Sequence, residues 1–238
     1  MRQTAQTLVL GALVMALAAC AGSTDEPSGS GPTATTAAPT QVPTVPSPAE
    51  SPSVSVPQDV PEDVVLGPEA LGTAEQPRTQ DAEVGAWALP EPCGAVVPDA
   101  AAMLTVTQGT GEFEEPVGLH QVAVFADADA AVSAAGALTT ALTECARIPS
   151  GTGTTYVLED VAVGAQGHGL ATDYYGASVG GPLDEALGSY LVTTRRGSAV
   201  TVVGTLGGES TVGAARAHAV ALAQSAWELL CVYDSAGC

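Results

Sequence analysis

The stretch YLVTTRRGSAVTVVGTL, residues 190–206, decides the fold. Tyr190 to Thr194 and Ala199 to Leu206 are rich in the β-branched and aromatic residues that suit a pleated surface, and Arg195-Arg196-Gly197-Ser198 is a polar turn between them. The pair reads as a β-hairpin. Gly207 and Gly208 end it, and the apolar period then lengthens. Val212, Ala215, Ala219, Leu222, Ala226 and Leu230 recur at three- and four-residue steps, the face of a long C-terminal helix.

Upstream of the hairpin, Thr155, Val157, Val161 and Val163 fall on one side of an alternating run, and a glycine-rich turn over Gly164 to Gly169 leads into a strand over Leu170 to Val179. Met103 to Gln108 and His120 to Phe125 read as two further strands, separated by Gly109 and Gly111. Asp127 caps a helix whose apolar face is Val132, Ala135, Leu138, Leu142 and Cys145, stopped by Pro149 and Gly151. The order strand, strand, helix, four strands, helix predicts an α+β domain over 81–238: a two-layer sandwich, an antiparallel sheet with two helices packed on one face.

This domain holds all nine aromatic residues and four of the five cysteines, Cys93, Cys145, Cys231 and Cys238. An even number in an exported chain points to two disulfides, with three possible pairings. The preferred one joins Cys93 to Cys145, tying the incoming segment to the end of a helix, and Cys231 to Cys238, clipping the last helix to the tail. No Cys-x-x-Cys pair supports a metal site instead.

The first twenty residues are an address. Arg2 is followed by an apolar run from Leu8 to Ala18, too short to span a bilayer, and Leu17-Ala18-Ala19-Cys20 places small residues before a cysteine. Residues 1–19 thus read as a lipoprotein signal peptide, with Cys20 as the lipidated first residue and the acyl chains as the membrane anchor. Residues 20–80 carry eleven of the seventeen prolines, many serines and threonines and no aromatic residue, which predicts a disordered tether. At roughly 3.1 Å per residue where polyproline-like, such a tether could set the domain about 100 Å from the membrane.

The chain has 26 acids against six bases, all arginine, and a net charge of -20. That balance argues against nucleic acid or anionic head groups as partners, since both require a basic face.

Catalytic signals are weak. Gly176-Ala177-Ser178-Val179-Gly180 matches the Gly-x-Ser-x-Gly nucleophile motif, with Asp184 and His218 following in order. Gly181-Pro182 leaves room for only a short helical turn, however, and the strand-helix alternation of a hydrolase is missing. A serine hydrolase using Ser178 is therefore the alternative, and a ligand-free structural envelope protein a third reading. His120, His168 and His218 fall on a strand, a glycine loop and a helix, without metal-ligand spacing. Glu112, Glu114 and Glu115 lack the regular oxygen-ligand loop of a calcium site and read as a solvated charge run. No metal or cofactor is expected.

The Leu17-to-Cys20 box, the Pro/Thr tether, a helix ending near Cys145, the Tyr190-to-Leu206 hairpin and an alanine-rich last helix together resemble actinobacterial sensor-domain lipoproteins. These are similar to the extracellular sensor domain of PknH-type receptor Ser/Thr kinases. The resemblance covers about residues 81–238. It implies two disulfides, a cleft that receives a ligand, and, without a kinase segment, signalling through a partner. In such a cleft Tyr174, Tyr175, Tyr190 and Trp227 would give aromatic contact, and Arg195 and Arg196 could hold an anion. The expected function is non-catalytic binding of a small molecule, cell-wall component or protein, on the extracytoplasmic face of the cell membrane.

Overall fold

Every strand expected from the sequence belongs to one sheet. The structure is a computed structural model that describes residues 56–149 and 153–238. The strands are β1 (Arg78–Asp81), β2 (Ala102–Gln108), β3 (Val117–Val124), β4 (Thr155–Asp160), β5 (Ala165–Asp173), β6 (Gly188–Arg196) and β7 (Ala199–Leu206). They pair antiparallel throughout, in the spatial order β1-β2-β3-β7-β6-β5-β4. The helices are a single turn, α1 (Pro68–Leu71), and two long ones, α2 (Ala128–Cys145) and α3 (Val212–Leu229). The α+β class and the antiparallel sheet agree with the sequence reading. The signal segment, Cys20 and the tether up to residue 55 lie outside the described residues.

The hairpin turns on Gly197 and Ser198, with Arg196 opposite Ala199 and Gly197 at a left-handed φ of 52° that glycine adopts without strain. β5 starts earlier than expected, because the glycine-rich segment joins the sheet through a bulge between Ala165 and His168. Gly169 is needed there: a Cβ would lie 2.0 Å from the Tyr190 hydroxyl on the neighbouring strand. Asp127 caps α2 as expected, its Oδ1 accepting from Ala130 N at 2.8 Å.

The placement of the two long helices on one face is corrected. Val122, Val124, Tyr190, Val192 and Val203 pack with Ala215, Ala219 and Ala223 of α3. Their strand neighbours Leu119, Ala123, Leu191, Val200 and Val202 pack with Ala135, Leu138 and Leu142 of α2. Successive residues of a strand point to opposite faces, so the helices cover opposite sides of the sheet. The central strands are buried at almost every position, the pattern of a sheet covered on both faces rather than one.

The boundary at residue 81 is corrected as well. Val65, Leu66 and Leu71 are buried in the same cluster as α3, Val64 beside them is buried too, and β1 pairs with β2 from Arg78 opposite Gln108 to Asp81 opposite Thr105. Residues 60–81 are thus a strap across the β2–β3 side of the sheet. It lies so close that a Cβ on Gly118 would meet the Leu71 carbonyl oxygen at 1.9 Å. A short apolar run inside a proline-rich stretch buries enough surface to order it, though the average composition suggests otherwise.

A second strap, around Trp87, covers the α2 face. Its end is fixed by the disulfide from Cys93 to Cys145, with Cα atoms 4.5 Å apart, while Cys231 and Cys238 are bonded at 6.2 Å. Both match the preferred pairing. In the chain-entropy picture the long bridge contributes about 4 kcal/mol and the short one about 2.5 kcal/mol.

The first strap is docked through one histidine. His120 is fully buried on β3, and its Nδ1 accepts from Leu66 N at 2.9 Å. That bond leaves the proton on Nε2, which donates to Thr201 Oγ1 at 2.9 Å, and Thr201 in turn donates to the Gln121 carbonyl at 2.8 Å. Burial, with the Arg78 charge adding to it, pushes the His120 pKa down to about 3. The unfolded chain takes up a proton near pH 6.5 and the folded chain does not, so stability is undiminished above that pH and falls on acidification toward pH 3. The slope from this residue is about 1.4 kcal/mol per unit. In urea unfolding, the wild type should lose about 2 kcal/mol more than His120→Gln between pH 7 and pH 5; equal losses would contradict this assignment.

Candidate ligand-binding site

The structure divides the six candidate ligand residues among three places. Tyr190 is in the core. Its hydroxyl donates to Glu159 Oε2 at 2.7 Å, and Arg216 of α3 grips the same carboxylate through Nε and a terminal nitrogen, both at 2.8 Å. Arg216 also pairs with Asp184 and lies over the Tyr190 ring, 5.4 Å from its centroid. Burial and the Glu159 carboxylate both raise the Tyr190 pKa. The Arg216 pKa is also raised, since Asp184 and Glu159 outweigh the cost of burying the charge. The network ties β4, β6 and α3 together. Glu159 and Arg216 gave no signal in the sequence, because neither lies in a motif.

Arg195, Arg196 and Trp227 come together at the other end of β6, around a shallow cavity of about 360 Å³ that Gly164 and Asp234 also line. Arg196 is buried and donates to the carbonyl oxygens of Asp234, Trp227 and Ala236 at 2.8, 3.1 and 2.6 Å. Its guanidinium stacks 3.9 Å from the Trp227 ring centroid. The α3 C-terminus and the tail carbonyls supply the negative ends of their dipoles to this charge, so Arg196 clamps the tail. Arg195 donates to Gln166 Oε1 at 2.8 Å and to its own turn at the Gly197 carbonyl, 2.9 Å.

Tyr174 and Tyr175 line a different cavity, of about 460 Å³, where β5 and β7 end and β3 and β6 begin. Their rings meet edge to face with centroids 6.5 Å apart. Val117, Leu187 and Leu206 add aliphatic surface, and Glu114, Glu115 and Glu209 line it too. Tyr175 is 73% exposed, whereas the Tyr174 hydroxyl is enclosed beside Ser189 and Gly207. A neighbouring cavity of about 380 Å³, lined by Glu69, Leu71, Thr205, Ala214 and His218, shares the Gly207-Gly208-Glu209 turn with the first. A volume of this size, with apolar walls and a few polar groups, suits a small molecule. The two tyrosines are legible in the sequence by residue type. The glutamates are not, since in sequence Glu112, Glu114 and Glu115 form a solvated run and only the fold brings Glu209 beside Glu114.

The hydrolase motif has a structural part. Ser178 lies in a single 3-10 turn, Ala177–Val179, and donates through Oγ at 2.7 Å and its backbone N at 2.8 Å to Asp173 Oδ2. Asp184 is taken by Arg216, and His218 lines the second cavity. His168 pairs with Asp160 at 3.2 Å across β4 and β5. The three histidines thus serve three separate places.

No family model matches the chain, and no curated protein matches it. Among solved structures it is similar to the extracellular domain of PknH from Mycobacterium tuberculosis, with 13% identity and a TM-score of 0.46, over 69% of this chain and 93% of that one.

Burial alone would raise the Asp173 pKa, but the bonds from Ser178, Tyr175 and Ala177 outweigh it and hold the carboxyl below its ordinary value. The stability this gives is present above the ordinary carboxylate pKa and is lost as pH falls through the folded one. Ser178→Ala should therefore cost about 2 kcal/mol in urea unfolding at pH 7, and less in acid below pH 3. A fluorophosphonate probe should leave the wild type unlabelled; labelling that Ser178→Ala abolishes would give Ser178 a catalytic role.

Proposed function

We propose that this chain is a lipid-anchored envelope protein whose extracytoplasmic domain binds a ligand without catalysis. The observation that carries the binding role is the cavity walled by Tyr174, Tyr175 and Leu187, whose lining is aromatic and aliphatic with carboxylates beside it. It lacks the paired nucleophile and base that covalent chemistry needs. The anchoring role is supported by the apolar run before Leu17-Ala18-Ala19-Cys20 and by the proline-rich segment that follows. A diacylated or triacylated Cys20 would hold the protein at the membrane, and the segment after it would give the domain reach. Ligand occupancy would be passed to a protein partner in the envelope.

Two measurements test the two halves of this reading. Cells fed labelled palmitate should yield a labelled, membrane-associated product from the wild type and an unlabelled one from Cys20→Ser. A small-molecule extract of the envelope should raise the melting temperature of the wild type by several degrees, and by less than one degree for Tyr175→Ala; saturation at a hundredfold excess over Kd corresponds to about 2.7 kcal/mol. An equal shift in both proteins would place the ligand elsewhere.

A further inference from the structure

The Tyr174–Tyr175 cavity carries negative charge that no basic side chain in its lining balances. Glu114, Glu115 and Glu209 line it, and among the described residues none of the arginines or histidines does. Among the described residues, the ion pairs of Arg216 with Glu159 and Asp184, and the contact of His168 with Asp160, all lie away from this lining. Glu115 is fixed as an anion: Gln76 Nε2 donates to it at 2.5 Å and Thr110 Oγ1 at 3.0 Å, and these bonds lower its pKa. Glu114 and Glu209 lie against each other, and their contact raises the Glu114 pKa. Two carboxylates in contact with no base beside them form a place where an added cation relieves repulsion.

The remaining walls favour the same kind of guest for a separate reason. An aromatic face is electron-rich, and an ammonium or guanidinium group within about 6 Å of a ring centroid is attracted to it. Tyr175 presents a largely exposed ring, Tyr174 turns edge-on to it, and Val117, Leu187 and Leu206 supply aliphatic surface in the same cavity. We propose that this cavity, taken as the ligand site of the preceding reading, is selective for an organic cation: a primary ammonium or guanidinium group held by Glu114, Glu209 and the tyrosines, with an apolar body against the aliphatic wall. An anionic ligand of the same shape meets three carboxylates and is excluded. A neutral one keeps only the apolar contact. Surface charge pairs and cation–π contacts are individually modest, so their sum sets a preference for cation over neutral isostere of about tenfold.

The test is calorimetric titration of the full-length chain with 4-phenylbutylamine, 4-phenylbutanol and 4-phenylbutyrate. These share a phenylbutyl body and differ in the charge of the head. The amine should bind about tenfold more tightly than the alcohol and the carboxylate most weakly, with the preference shrinking as salt rises from 50 to 500 mM. Changing Glu114→Gln and Glu209→Gln together should bring the amine to the level of the alcohol, whereas Tyr175→Ala should weaken both. These substitutions lie at the surface, so an unchanged far-ultraviolet spectrum is expected to accompany each. Amine and alcohol binding equally, both weakened by Tyr175→Ala, would overturn the cation assignment and leave the ligand cavity standing. A preference that survives the double substitution would trace it to the net charge of the whole chain and overturn the assignment too. Saturation by none of the three at millimolar concentration would overturn both the assignment and the cavity reading.

Discussion

Two adjacent polar side chains in the middle of β3 hold the domain's covering layers in place. His120 and Gln121 point to opposite faces of the sheet, and both are buried. His120 accepts the backbone N–H of Leu66, fixing the strap that precedes β1 on the α3 face. Gln121 accepts from Ala88 N at 2.6 Å and donates to Thr105 Oγ1 at 2.9 Å, fixing the Trp87 strap on the α2 face. A buried polar group without a partner costs about 1–3 kcal/mol, so each strap is needed by the strand as much as it needs the strand. Neither long helix reaches across all seven strands. The straps cover the β2–β3 side, and without them the apolar residues on both faces there would meet water.

How much of this was legible in the sequence depends on whether the signal was local. The hairpin, the Asp127 cap and both long helices rest on patterns within short windows, and the structure agrees with them; the disulfide pairing, preferred for where the cysteines stand relative to the helices, agrees as well. Which face each helix takes depends on the parity of every central strand. A strand with apolar residues on both sides, such as β7, carries no clean alternation from which to read it. The first strap was hidden for a different reason. Its ordering rests on Leu66 meeting His120, 54 positions along the chain, and on Leu71 filling the space above Gly118. A polar pair inside an apolar strand was the available clue, because buried polar groups must find partners.

The ligand candidates show the same limit. Tyrosines, arginines and tryptophan are candidates by residue type, and type does not separate a wall from a brace. Arg196 and Trp227 stack on each other and close the tail, and Tyr190 is consumed by Glu159 in the core. Tyr174 and Tyr175, in the turn that leaves β5, combine aromatic surface with an open cavity that has aliphatic walls. The same turn explains the serine motif. Gly176 takes a left-handed φ of 67°, and Ser178 folds back onto Asp173, so the glycines around the serine serve a tight reversal of the chain.

The cavity and the first strap share their structure. Gln76, which follows α1, donates to Glu115, and Thr73 of the same segment is held by Gln108 of β2 through a 2.5 Å bond to its carbonyl. Leu71, Gly72 and Gln76 line the neighbouring cavity, and the Gly207-Gly208 turn, at φ of 69° and 84°, borders both. The strap therefore sets one of the carboxylates that line the cavity, and the residue that docks it, His120, lies in the same strand whose first residue, Val117, forms part of the cavity wall. A guest that contacts Glu115 has a higher affinity for the chain with its strap docked than for the chain with it loose. By linkage, it then stabilises that docking by the same factor. The strap is also the part of the folded domain nearest in sequence to Cys20.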